Sequence, residues 1–185
     1  MSDPADVSPD RLEAENDRQD PPLRFLQTSA ETAGELLVLE ARYHPQSTPP
    51  PAHYHPFQEE QFEILEGQMH VVLDGDERTY GVGEALTVPP GTPHTMHNPG
   101  DVVARVRWEV RPALQTEVFL RTTWGLAGTD RANADGSPHF LQAVVIGQAY
   151  QREFRLTQPP YWLQRILFAV LAPLGRLKGY RSRYD

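Results

Sequence analysis

The chain contains no cysteine. A disulfide framework, a zinc ribbon, a thiolate nucleophile and an iron–sulfur cluster are therefore excluded. Any metal must be held by nitrogen and oxygen, which directs attention to the seven histidines. Basic charge is scarce too: 17 Lys and Arg stand against 25 Asp and Glu, a formal net charge of −8. A general nucleic-acid role needs a basic footprint, so no nucleic-acid partner is expected. Long apolar runs are also lacking. The strongest candidate, Tyr161 to Leu174, is too short to span a bilayer, carries Arg165 and meets Pro173. The first residues offer no basic start followed by an apolar core, so no export signal is read and a cytoplasmic location is expected.

What is present is proline, 18 residues of it, together with 13 glycines. In 185 residues this allows one domain with appendages, long enough to bury a core without covalent staples. Many turn residues between short apolar runs point to strands. Residues 1–22 are acidic and proline-bearing, with almost no large apolar side chains, and read as a disordered tail. From there the texture alternates with period two. Leu37, Leu39, Ala41 and Tyr43 share one face, as do Glu60, Phe62 and Ile64. Asp74-Gly75-Asp76 reads as a hairpin turn. Val102 to Val110 alternates, with Arg105, Arg107, Glu109 and Arg111 on the face expected to meet solvent.

After Pro112 the period moves towards 3.6. Helices are predicted near Gln115–Leu126, over Phe140–Leu156 and from Tyr161 onward, the last ending at Pro173. Strands first and helices afterwards predict a mainly β fold: a β-barrel over residues 23–113 and a helical C-terminal extension over 114–185. The leucine stripe of the last helix is expected to pack on the barrel or across a homodimer. The basic residues after it, Arg176, Lys178, Arg181 and Arg183, leave contact with an anionic membrane surface as the other reading.

Two clusters carry chemistry. His53 and His55 are two residues apart, so in an extended strand they project to the same side. Glu60 opens the next strand on the face of Phe62 and Ile64, whereas Glu59 shares a face with Gln61 and Glu63, which favours Glu60 as the inward carboxylate. His94 follows a bend fixed by Pro89 and Gly91. Three imidazoles and one carboxylate suit one divalent transition metal (Fe, Mn, Ni, Cu, Co or Zn) rather than Ca or Mg. The predicted metal ligands are His53, His55, Glu60 and His94, with Glu60 also the candidate catalytic base. Hydrogen-bonded histidines in a metal-free pocket are the plainer alternative.

At these residues the sequence resembles the cupin superfamily. Gly83, Pro89, Gly91, His94 and Asn98 match its second fingerprint in full. His53, His55, Glu60 and Gly67 match the first, which departs only at its opening glycine, where this chain has Ser47. The resemblance covers about Leu36 to Pro112. It implies a small jelly-roll barrel, often dimeric, with a metal in its mouth.

Phe62, Ile64, Met96 and Trp108 either line a cavity or form barrel core. His97 is either a hydrogen-bonding support to a ligand or a turn residue, and His70 is a strand residue that faces the pocket or packs between strands. His44 and His139 fall in loops, and Tyr54 points away from its histidine neighbours by strand parity. Arg105, Arg107 and Arg111 are expected to be solvated rather than anion-binding. The functional expectation is a metal-dependent enzyme on a small organic molecule, with an oxygenase first and lyase or isomerase chemistry beside it. The alternative is a non-catalytic small-molecule binder or sensor. Fold alone does not decide between them.

Overall fold

The computed structural model describes residues 23–126, 129–133 and 137–184. The acidic tail expected over residues 1–22 lies outside the described residues. Among the described residues nine strands precede three helices, as anticipated, and a tenth strand lies between the second and third helices.

The strands are β1 (Leu23–Gln27), β2 (Leu37–Tyr43), β3 (His53–Tyr54), β4 (Glu59–Glu66), β5 (Gln68–Leu73), β6 (Asp76–Gly81), β7 (Ala85–Val88), β8 (His94–His97), β9 (Ala104–Arg111) and β10 (Arg155–Leu156). They form two antiparallel five-stranded sheets, ordered β1-β2-β9-β4-β7 and β10-β3-β8-β5-β6. The sheets meet through side chains and are not stitched into one continuous barrel by strand pairing among the described residues. Their shared core joins Phe62, Ile64, Val88 and Val106 of the first sheet to Met69, Val71 and Met96 of the second.

Alternation decides which residues enter that core. In β4, Glu60, Phe62 and Ile64 are buried while Gln61 and Glu63 are exposed. In β9, Ala104, Val106 and Val110 are buried. The arginines between them pair outside, Arg105 with Glu40 and Glu66, and Arg107 and Arg111 with Glu109. Asp74 and Gly75 both have positive φ, the twisted two-residue turn that suits a hairpin between β5 and β6. Gly67 sits at φ +69° against the chain: a Cβ there would lie 2.8 Å from the Val103 carbonyl oxygen.

The helices are α1 (Thr116–Leu126), α2 (Phe140–Ala149) and α3 (Tyr161–Leu177). Leu120 of α1 joins a second core with Leu23, Phe25, Leu37 and Leu39 of β1 and β2 and Val110 of β9, all strands of the first sheet. α2 packs on α3 through Val144, Val145 and Ala172. Gly175 permits the close approach, since a Cβ there would fall 2.6 Å from Val145 Cγ2.

Three local expectations are corrected. Strand β1 was not anticipated from sequence; it is held by pairing with β2, which its own short pattern does not announce. The second helix stops at Ala149, and Arg155–Leu156 instead form β10 against β3. The last helix runs through Pro173 to Leu177. Proline removes one backbone donor, and the partner it would have served, the carbonyl of Ala169, belongs to an exposed residue that water can satisfy.

Candidate metal centre

The site lies between the two sheets. β3 and β8 are paired with His53 directly opposite His94. His55 follows at the end of β3, and the Gly91 N–H donates to its carbonyl at 2.8 Å, tying it to the bend before His94. Glu60 comes from the facing sheet, first of the inward row in β4. A turn at Pro56–Phe57 separates β3 from β4, so two histidines and a carboxylate so near in sequence approach from different sheets.

Ligand nitrogens of His53, His55 and His94 lie within 4.8 Å of one another. Glu60 Oε2 is 3.1 Å from His55 Nε2 and 3.1 Å from His94 Nε2. Each histidine sets its other nitrogen against a backbone carbonyl: His53 Nδ1 on Pro51 at 2.9 Å, His94 Nδ1 on Thr92 at 3.1 Å, and His55 Nδ1 on Glu153. A carbonyl accepts and cannot donate, so each Nδ1 carries a proton and each Nε2 is turned towards the centre, where it offers a lone pair when the ring is neutral. Trp108 Nε1 donates to Glu60 Oε1 at 3.1 Å, fixing that oxygen and leaving Oε2 for the nitrogens.

Burial makes this arrangement costly on its own. Glu60 is 1% exposed and His94 4%. His55 Nε2 and Glu60 Oε2 are buried without a hydrogen-bond partner of good geometry, although they are 3.1 Å apart. Two lone pairs facing each other need positive charge between them. Either a second proton on His55 supplies it, or a cation shared by all the donors does. The electrostatics agree. Burial, then the neighbouring His94 and His55, pushes the His53 pKa down to about 3. Burial also opposes charge on His55, but the Glu60 carboxylate and the hydrogen bonds outweigh it and raise its pKa. Burial would raise Glu60, yet His55 and His94 hold it well below the ordinary carboxylate range. The donor set therefore fits a transition-metal ion of borderline softness.

Residues 39–110 match the family model of the cupin domain. That stretch is where the chain is similar to the cupin family. The tetracenomycin polyketide synthase protein TcmJ of Streptomyces glaucescens is 38% identical over 60 residues, 32% of this chain and 40% of that protein. The polyketide synthase CurC of Streptomyces cyaneus is 35% identical over 60 residues, 32% of this chain and 39% of that one. The chain thus spans about two fifths of the length of these curated relatives. Among solved structures, an RmlC-like cupin from Shewanella frigidimarina is similar over 56% of this chain and 86% of its own, with 20% identity and a TM-score of 0.48.

Other positions of the two fingerprints serve the scaffold. Asn98 Nδ2 donates to the carbonyls of Tyr43 and Val102, at 3.1 and 2.7 Å. Ser47, the one departure from the fingerprints, accepts the Asn98 N–H on its hydroxyl at 2.9 Å, and its own N–H donates to the Asn98 carbonyl. The serine thus clamps the two motifs together. Phe62, Ile64 and Met96 are buried core, and Trp108 packs half-buried against Phe62 at 5.4 Å. His97 lies beside His70, ring centroids 5.3 Å apart, on the opposite face of β8 from His94.

The C-terminal extension enters the site, which sequence reasoning missed. Phe154 stacks on His53 with centroids 4.7 Å apart, and β10 pairs Leu156 with His53. The carbonyl of Glu153 orients His55. The only sequence signal was the failure of helical periodicity after Ala149, where Glu153, Phe154 and Arg155 follow no apolar stripe. A pocket of about 360 Å³ is lined by Ala52, Val72, Asp74, His94, Thr95 and Thr157, among others. Of the four converging donor residues it touches His94 alone.

Proposed function

We propose that this protein is a metal-dependent enzyme acting on a small organic molecule, with an oxygenase-type reaction as the leading reading. The observation that carries it is the pair of buried, unsatisfied atoms His55 Nε2 and Glu60 Oε2, set among two further imidazoles. His53, His55, His94 and Glu60 would hold the ion. When bound, such an ion supplies Lewis-acid or redox chemistry towards a substrate oxygen. The three backbone carbonyls fix a proton on each Nδ1 and aim each Nε2 at the centre. Trp108 holds Glu60 by one oxygen, so the other is available to bind metal or to accept a substrate proton. Phe154 and the buried apolar residues keep water from the donors. The relatives named as polyketide synthase proteins suggest the substrate class: an oxygen-rich polyketide skeleton with enolisable or phenolic oxygens.

A second reading is supported by the same Phe154. A ring stacked on a candidate ligand favours a closed site that binds a small molecule without turnover.

The test starts with elemental analysis of chelator-free protein beside His53→Ala and His94→Ala. Near-stoichiometric iron, manganese, nickel or copper, lost in both variants, is expected. Oxygen uptake and product mass with a panel of polyphenolic substrates then separate the readings. Uptake with oxygen gained in the product supports the oxygenase. Tight binding of the same compounds with no product supports the binder. Failure to retain any ion overturns the enzyme and leaves the binder in the lead.

A further inference from the structure

Helix α3 is amphipathic, with its two long faces treated differently. Gln164, Ala172 and Gly175 are buried, and Phe168 and Leu171 pack half-buried towards α2. The opposite face carries Trp162, Ile166, Val170, Leu174 and Leu177, exposed to 64%, 53%, 60%, 49% and 84%. These residues recur at the spacing of one helical face and make an apolar stripe running the roughly 25 Å length of the helix. Of the leucine stripe read from sequence, Leu163 and Leu171 are half-buried, whereas Ile166, Leu167, Val170 and Leu174 are exposed. A stripe of this size on an isolated chain marks a contact surface.

The charges around it select the partner. Residues 161–184 contain five basic side chains and no acidic one, whereas the other 12 basic residues share the remaining chain with all 25 acidic ones. On the helical wheel Arg165 and Arg176 lie along one edge of the stripe, and Lys178 and Arg181 follow its end. None of these four forms an ion pair among the described residues. A second copy packed helix to helix would offer these cations no acidic partner, because residues 161–184 carry none. An anionic bilayer surface matches every part: an apolar face to sink below the headgroups, an aromatic residue at one end, and cations at the rim that reach phosphates. α3 is also too short to cross a membrane, as no helix among the described residues is long and apolar enough to do so.

We infer that α3 docks this protein onto an anionic lipid surface, lying in the plane of the interface with the Trp162–Leu177 stripe inserted. The polar and acidic remainder of the molecule stays in water. The inference stands independently of the reaction at the metal centre.

The full-length chain is sedimented with vesicles of pure phosphatidylcholine and of equimolar phosphatidylcholine and phosphatidylglycerol. Light scattering in solution gives the oligomeric state of the same samples. Binding to the anionic vesicles is expected to be at least about tenfold tighter than to the neutral ones, and to weaken with added salt. Val170→Glu should lose at least about tenfold of this binding. The Arg165→Gln/Arg176→Gln variant should lose about fivefold for each charge removed, with unchanged circular dichroism in both. The inference is overturned if the chain shows no preference for anionic vesicles. It is equally overturned if Val170→Glu pellets like the wild type, or if that substitution splits a dimer while neither protein binds lipid.

Discussion

The carbonyl of Glu153 accepts the Nδ1 proton of His55, across 98 positions of sequence. That contact decides which nitrogen of His55 faces Glu60, and with Phe154 on His53 it makes the C-terminal extension part of the candidate metal site. Phe154→Ala should therefore leave the sheets folded while opening the donors to water. Metal dissociation in chelator competition is expected to accelerate roughly tenfold or more, in the range found for groups that support metal ligands.

Trp108 acts on the other side, by donating to Glu60 Oε1. Trp108→Phe keeps the ring packed on Phe62 and removes only the N–H. Metal affinity should fall about 10–100-fold, as for other groups that orient ligands. Titration of metal-free protein with each ion measures this. An unchanged affinity would mean that Glu60 is fixed by the histidines alone.

Protons and metal compete for the same lone pairs. His55 has a raised pKa, so metal capture must displace its proton at any pH below that value. Affinity should fall about tenfold for each pH unit of acidification below it, while His53, with its pKa near 3, adds nothing to this slope above mildly acidic pH. Calorimetry in buffers of different ionisation enthalpy counts the released proton. In the metal-free protein the signs follow from the same shifts. The His55 contribution to stability is full below its ordinary value of 6.5 and is lost as pH rises through its raised folded value. The Glu60 contribution is present above its ordinary value of 4.5 and is lost on acidification.

Gly67 combines positive φ with a close approach to the Val103 carbonyl, so Gly67→Ala meets both penalties. A loss of roughly 2 kcal/mol or more is expected, read as a lower thermal midpoint. Gly34, also at positive φ but with open space around its Cβ position, should lose less on the same substitution.

Much of the centre was legible because its spacing is local. His53 and His55, the inward row of Glu60, and the Pro89–Gly91 bend before His94 all express strand parity or turn chemistry over fewer than a dozen residues. Parity also told the solvated arginines of β9 from its buried valines. What stayed hidden depends on contacts between distant segments. A two-residue strand such as β10 has no pattern of its own and exists because β3 offers it an edge. The Glu153 contribution comes from a backbone carbonyl, which every residue type possesses, so no side chain announced it. Pro173 was misread because the rule against proline in helices weakens where the orphaned carbonyl lies on a wet face.

The pairing of β3 with β10 also bears on biosynthesis. Residues 53–60 leave the ribosome long before residues 153–156, so the first sheets can form while their histidines still lack the carbonyl and the ring that complete them. Such non-local contacts form late. A fully ordered site is thus a property of a finished chain, and a nascent one caught partway would hold metal loosely and exchange it with its surroundings.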